Sequence, residues 1–257
     1  MYLKPPTIYI GYDVKEDAAF QVAVASIKKH ASKPINIVPL KQEALRRAGL
    51  FKRSHYNVGD QKYDCFDNKP FSTEFSFTRF LVPALNQYEG LALFMDCDMM
   101  LRSDIWELFD TICKDDSAVW TVHHNYNPKS VRKMDGQIQE SYNRKNWSSF
   151  MVFNCSHDAN KLITVDDVSV KTGSWLHSFG WLEYEQIGKI GEEWNWLDDW
   201  SPDYINAKNV HFTTGGPWFK DWGSKRDIDN KYAIEWSNDA QWLQMQGILD
   251  INKDYMI

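Results

Sequence analysis

The sequence predicts an α/β protein with a central, mostly parallel mixed sheet flanked by helices. Three observations carry that prediction. Short apolar runs alternate with stretches whose apolar residues recur at helical spacing, the pattern of strand–helix–strand units. At 257 residues the chain is long enough for one substantial core. No apolar run reaches the length of a bilayer-spanning helix.

The elements follow in order. "TIYIGYD" (7–13) reads as a buried strand. "KEDAAFQVAVASIKKHA" then places Phe20, Val24, Ile27 and Ala31 on one helical face, with acids at its start and lysines at its end, as the helix dipole favours. "INIVPL" (35–40) is a second strand, and "QEALRRAG" a short helix stopped by Gly49. "STEFSFTRFLVPAL" (72–85) reads as a helix capped by Ser72 or Thr73. It puts Phe77, Leu81 and Leu85 on one face and Ser72, Ser76 and Arg79 on another, and Pro83 is expected to kink or end it. "GLALFMD" is a strand, and Ser103 with Asp104 caps a short helix, "IWELFD". "SAVWTVHH" and "SFMVFNC" are further strands. A final helix is expected from about residue 228 to 249, with Tyr232, Trp236, Ala240 and Leu243 on one face. No linker, low-complexity tract or repeat divides the chain, so one domain over 1–257 is expected.

Composition narrows the function. Hydrophobic content of 43% with 25% charged residues is that of a soluble globular protein, and a net charge of −6 argues against non-specific nucleic-acid binding. Cys65, Cys97, Cys113 and Cys155 form no CxxC pair, which fits a reducing compartment. The N-terminus, "MYLKPPTIYIGYD", lacks a signal-peptide pattern. A cytoplasmic protein is expected, with peripheral membrane contact left open. One segment is locally basic: 123–147 holds Lys129, Arg132, Lys133, Arg144 and Lys145 against Asp135 and Glu140, and can meet an anionic ligand or simply be solvated.

The chemistry centres on "LALFMDCDMML" (91–101), an apolar run cut by Asp96 and Asp98. Two carboxylates at i and i+2 can converge on one hard cation, which offsets the cost of holding them in a partly buried cleft. Magnesium and manganese accept such sparse ligation when a substrate's phosphates complete the shell, and a histidine in the shell favours manganese. In α/β sheets ligands bind at the carboxyl ends of the strands, where Asp13 and this pair both fall. Further on, "NVHFTTGGPWF" (209–219) offers His211, then Gly215 and Gly216, whose backbone N–H groups can approach phosphate oxygens.

Together these pieces resemble the GT-A glycosyltransferases, in particular the glycogenin-like and lipopolysaccharide-galactosyltransferase-like family 8. The resemblance runs through "IYIGYD", "FTRFLVPAL", "LALFMDCDMMLRSDIWELF", "SSFMVFN", "EEWNW" and "HFTTGGPW", in the family's order. It extends to uncharacterised bacterial glycosyltransferase-like proteins sharing "RKNWSS", "GEEWNWL" and "GGPWF"-like segments. The resemblance implies a GT-A fold with a nucleotide-binding half over about 1–125 and an acceptor half over about 126–257. It implies that Asp96, Asp98 and His211 hold Mn2+ or Mg2+, which bridges the diphosphate of a nucleotide sugar, expected to be a UDP-sugar. Gly11, Tyr12 and Asp13 match the strand end at the base and ribose, Cys97 a position against the ribose, and Arg79 an arginine near the donor sugar. Trp147 and Ser148 match a segment touching the sugar or acceptor. The implied reaction is transfer to a hydroxyl of a carbohydrate acceptor with retention, as in polysaccharide synthesis.

The chain departs from the family pattern in places. The family ends in HxxGxxKPW, whose lysine clamps the leaving phosphate; here Gly216 stands at that lysine's place, leaving Lys220, Lys133 or Lys145 as candidates. The family's FNxG segment is altered to "NWSSF". A DQD-type motif is replaced at best by "WLEYEQIG", so Glu183 and Glu185 are the candidate catalytic carboxylates, with Asp135 as a third. The basic loop 125–146 is expected to act as a lid, and Trp147, Trp181, Trp194 and Trp196 are candidates for stacking on acceptor sugar, with core packing expected for at least half.

Two rival readings come from other classes. "LFMDCDMML" is also similar to the opening of a haloacid-dehalogenase-type phosphatase, with Asp115–Asp116, Asp166–Asp167 or Asp198–Asp199 as its downstream acids, although Met100 and the motif's late position fit that class poorly. A non-catalytic sugar-nucleotide binding module predicts metal-dependent binding without turnover. A glycosidase needs two carboxylates about 5–9.5 Å apart with divided roles, which a shared metal pair does not provide.

Overall fold

The computed structural model describes residues 5–112, 115–125, 144–219, 222 and 230–249. Strand β1 (Thr7–Gly11) is buried at every position, and helix α1 (Asp17–His30) follows with Phe20, Val22, Ala23 and Ile27 inside. Strand β2 (Asn36–Leu40) returns parallel to β1, and α2 (Gln42–Arg47) comes next. A small antiparallel sheet then forms from β3 (His55–Val58), β4 (Gln61–Asp64) and β5 (Pro70–Phe71). Val58 pairs with Gln61, which makes Gly59–Asp60 a two-residue hairpin turn. That dipeptide is the sequence signal for a hairpin that apolar patterning does not show.

The expected helix over 72–85 forms only in its second half. A 3-10 turn (Thr78–Leu81) leads into α3 (Val82–Leu85), and Pro83 stands in the first turn of α3, where its missing N–H costs nothing. Residues ahead of it spend their polar groups on local bonds instead: Ser76 Oγ donates to the Thr73 carbonyl at 2.9 Å, and the Glu74 N–H reaches Asp13 at 3.2 Å.

Strand β6 (Leu91–Met95) is followed by β7 (Met99–Leu101) and α4 (Ile105–Ile112), whose first turn is capped by Asp104 accepting from the Trp106 N–H at 3.0 Å. Then come β8 (Val119–Val122), β9 (Phe150–Asn154), α5 (Val165–Val170) and α6 (Gly173–His177). β10 (Ile187–Ile190), β11 (Trp196–Leu197), β12 (Asn209–His211) and α7 (Lys231–Met245) complete the order.

The main sheet runs β10-β8-β9-β6-β1-β2. β9 is antiparallel to both neighbours and the other pairings are parallel, so the expected mostly parallel mixed sheet is present. A second sheet, β11-β12-β7, branches from it. The expected face of α7 is buried: Tyr232, Trp236, Ala240 and Leu243 pack with Ala18, Ala19 and Val22 of α1. Lys29–Asp239 at 2.7 Å and a bidentate Arg102–Glu235 pair at 2.6 and 3.1 Å tie α7 to the body.

A buried ion pair fastens the small sheet. Arg53 meets Asp64 through two bonds, 3.0 and 2.5 Å, and donates to the carbonyls of Val168 and Lys171 at 3.2 and 2.6 Å. Its guanidinium lies 3.9 Å from the Phe77 ring centre. Among the described residues no helix is long and apolar enough to cross a membrane.

A candidate metal centre and its cavity

Asp96 and Asp98 occupy the corner where the chain leaves β6 of the main sheet for β7 of the second one. The Asp96 N–H donates to the Ser149 carbonyl at 2.9 Å, which pins the corner to the start of β9. β12 runs antiparallel to β7 with His211 opposite Met99, and the Phe212 N–H donates to the Asp98 carbonyl at 3.0 Å. Cross-strand pairing therefore delivers the histidine to the carboxylates. Asp96, Asp98 and His211 each offer a ligand atom within 4.8 Å of the others, and His211 Nε2 is 3.3 Å from Asp98 Oδ1. Arg79 Nη1 lies 3.0 Å from Asp96 Oδ1. The acid pairs at 115–116, 166–167 and 198–199 do not belong to this cluster.

Asn195 sets the histidine's state. Its Nδ2 donates to Ser149 Oγ at 3.0 Å and the Asn146 carbonyl at 3.4 Å, so its Oδ1, 3.0 Å from His211 Nδ1, is an acceptor. His211 Nδ1 then carries a proton, which leaves Nε2, 3.3 Å from Asp98 Oδ1, as the nitrogen that would ligate a metal. Asn195 lies within "EEWNW", where the tryptophans draw attention and the asparagine gives no signal. Asn195→Ala is expected to weaken Mn2+ affinity about 10- to 100-fold, as loss of such an outer partner does. Titration calorimetry with Mn2+ alone checks it, and an unchanged affinity would refute the role.

A cavity of about 640 Å³ opens beside these ligands, lined by Arg79, Asp96, Lys145, Ser148, His177 and His211 among others. That volume lies in the ordinary range of small-molecule sites. Arg79 is held by the carbonyls of Phe75 (Nε, 3.1 Å) and Ser148 (Nη1, 2.8 Å). Ser148 Oγ and His177 Nδ1 are 2.7 Å apart. Burial, then Arg79 and Lys145, hold the His177 imidazole well below its usual pKa, so it stays neutral and is a weak base. Ser148 is a candidate from the sequence through the resemblance, whereas nothing in the sequence singles out His177.

His124, two residues beyond β8, is buried, and that burial with His211 nearby pulls its pKa down to about 3. In the unfolded chain it titrates near 6.5. Between those values the unfolded chain binds the extra proton, so stability falls as pH falls below about 6.5. His124 alone is expected to cost about 2 kcal/mol between pH 7 and pH 5. Urea unfolding at the two pH values in chelator, with His124→Gln flattening the slope, is the check.

Gly11 ends β1 beneath Phe75, where a Cβ would come within 2.4 Å of the ring, so its place is fixed by packing. Tyr12 donates to Asp17 at 2.9 Å, and Asp13 caps the next turn through the Lys15 N–H at 3.1 Å. Cys97 is buried in the core beside Glu16, and burial raises its thiol pKa well above the ordinary value; it does not line the cavity. Trp147 is stacked on His123 at 3.9 Å and donates to the His124 carbonyl at 2.9 Å. Trp147, Trp194 and Trp196 are buried and Trp181 is half-buried, so packing takes three of the four tryptophans entirely. Gly215 gives its N–H to the Phe212 carbonyl at 2.9 Å, so that amide is not available to a phosphate. Gly216 lies under Trp218, where a Cβ would sit 2.1 Å from the indole. Glu183 and Glu185 are exposed around a 3-10 turn ahead of β10 and outside the cavity: the turn uses Glu183 as its cap. Cys113, Lys129, Arg132, Lys133, Asp135, Glu140 and Lys220, with most of the 125–146 loop, lie outside the described residues.

No family model matches the chain. It is 42% identical over 243 residues to Protein CDI of Arabidopsis thaliana, covering 93% of this chain and 87% of that protein. Among solved structures it is similar to the apo form of the bifunctional glycosyltransferase WbbM, with a TM-score of 0.59 and 14% identity over 93% of this chain and 52% of the other. The chain thus spans about half of WbbM. The galactosyltransferase LgtC, in complex with donor and acceptor sugar analogues, gives a TM-score of 0.54 at 13% identity over 95% of this chain and all of the other. The apo form of the glycosyltransferase GlyE of Streptococcus pneumoniae TIGR4 gives 0.54 at 14%, over 95% and 64%. At these identities the likeness is one of fold, and the fold is GT-A.

Proposed function

The chain belongs to the same family as Protein CDI and has the GT-A fold, and from that premise we propose that it is a metal-dependent glycosyltransferase. It moves a sugar from a nucleotide-diphosphate donor, a UDP-sugar, to a hydroxyl of a carbohydrate acceptor with retention, in polysaccharide synthesis within the cytoplasm. The observation that carries the reading is the convergence of Asp96, Asp98 and His211 at the mouth of a polar cavity. Two carboxylates and an imidazole with its Nε2 lone pair turned inward fit Mn2+ better than Mg2+. When bound, the cation supplies Lewis-acid stabilisation of the diphosphate, a matter of several kcal/mol.

The protein's own groups do the rest. Arg79, fixed by two carbonyls, adds a positive charge beside Asp96. Ser148 presents a hydroxyl on the cavity wall, oriented by a neutral His177. Among the described cavity residues the carboxylates are Asp67 and Asp96. Asp67 is engaged by the N–H groups of Lys69 at 3.0 Å and Gly173 at 3.3 Å, and Asp96 is a metal ligand in this reading. Among the described cavity residues neither carboxylate is placed as a base, and in this proposal the acceptor proton passes to a donor phosphate oxygen in a same-face, retaining displacement.

Calorimetry with nucleoside diphosphates and sugar nucleotides, each with Mn2+, with Mg2+ and with chelator, tests the proposal. Metal-dependent binding of one base series followed by donor turnover supports it. Binding without turnover in the presence of acceptors would leave a binding module, and no binding with any metal would refute the glycosyltransferase reading. Release of phosphate from an aryl phosphate would point to the phosphatase.

A further inference from the structure

We infer that Lys145 is the side chain that neutralises the leaving diphosphate; the assignment deepens the proposed sugar transfer and rests on it. As the anomeric C–O bond to the β-phosphate breaks, its electron pair goes to the phosphate oxygen, while the acceptor oxygen forms the new bond and its proton passes to a phosphate oxygen. Negative charge thus grows on the diphosphate, and a fixed cation there lowers the barrier.

Three described cations line the cavity: Lys69, Arg79 and Lys145. Arg79 is committed, with bonds to the Phe75 and Ser148 carbonyls and an ion pair to Asp96. Lys69 stands on the exposed β4–β5 turn beside Asp67, away from the elements that carry the metal ligands. The Gly215–Gly216 turn contributes little: one amide is spent on Phe212, and Trp218 fills the space a side chain at 216 would need.

Lys145 is different because its turn is built into the metal centre. It lies between Arg144 and Asn146, both in the left-handed region at φ 64° and 65°, a conformation that costs non-glycine residues and persists only when braced. The braces are visible. Arg144 Nη1 donates to the Ser178 carbonyl at 2.5 Å, and the Trp147 N–H closes the turn on the Arg144 carbonyl at 3.1 Å. The Asn146 carbonyl accepts from Ser149 Oγ at 2.7 Å and from Asn195 Nδ2 at 3.4 Å. The other end of that Asn195 amide holds His211 at 3.0 Å. One side chain therefore fixes both the metal ligand and the turn bearing the lysine, so cation and ammonium converge on one ligand. Lys145 also depresses the His177 pKa, which places its charge within reach of the cavity wall.

The test compares UDP, GDP and ADP with the corresponding monophosphates by calorimetry in Mn2+, using wild type, Lys145→Met and Lys145→Arg. Lys145→Met is expected to weaken the bound diphosphate about 10- to 100-fold while the monophosphate stays within about 2-fold, and Lys145→Arg to keep most of the affinity. Mn2+ binding by itself, unchanged in Lys145→Met, reports that the centre is intact. Equal loss of both nucleotides, or unchanged diphosphate affinity, overturns the assignment alone. Absence of any nucleotide binding to the wild type overturns the sugar-transfer reading, and the lysine assignment with it.

Discussion

Asp98→Ala is expected to abolish metal-dependent nucleotide binding and to lower sugar transfer at least about 100- to 1000-fold, the loss of several kcal/mol of charge stabilisation. Asp98 is buried, 3.3 Å from the imidazole of His211, and without it the centre keeps Asp96, already paired with Arg79, and His211. His211→Ala should give a loss of similar size. Stability should move the other way. Without a cation, two carboxylates share one small corner, so Asp98→Asn in chelator is expected to unfold at the same temperature as wild type or higher. Transfer assays and thermal unfolding read the two arms separately. Full activity in Asp98→Ala, or a folding defect that accounts for its loss, would remove the metal centre from the mechanism.

Arg53→Met should cost about 3–5 kcal/mol and lower Tm by on the order of 10 °C, because it strands the Asp64 carboxylate in the interior. Arg53 also satisfies the carbonyls of Val168 and Lys171, so it joins the hairpin sheet to α5. The double variant Arg53→Met/Asp64→Leu should recover much of the loss, since the stranded charge is then gone. Calorimetric unfolding of the three variants decides it; a single-variant cost under about 1 kcal/mol would show that the pair contributes little.

Legibility in the sequence follows period and locality. β1, α1, β6, the Asp104-capped α4 and the buried face of α7 have regular apolar spacing and local caps, and all are found. The stretch 72–77 has helical spacing too, but Ser and Thr side chains with Asp13 capture its backbone, and that competition is set by distant residues. In the candidate site, Asp96, Asp98 and His211 do converge, and their residue types make that grouping legible in the sequence. Asn195 and His177 give no such signal, for their contacts with the centre arise only across the fold, whereas Lys145 is already a candidate in the sequence as a replacement for the missing lysine. Gly11 and Gly216 show the converse: matched to ligand contacts, they are fixed by Phe75 and Trp218.

The β7–β12 pairing also has a kinetic consequence. Asn209 lies against Met99, 110 positions away in the chain, and the same pairing presents His211 to Asp98. Closing so long a loop is entropically slow, and strands joined at such separation tend to assemble late. High-affinity Mn2+ capture should therefore lag behind recovery of secondary structure during refolding. A bound ion would then stabilise the finished chain over its unfinished forms, by an amount that grows with free metal concentration.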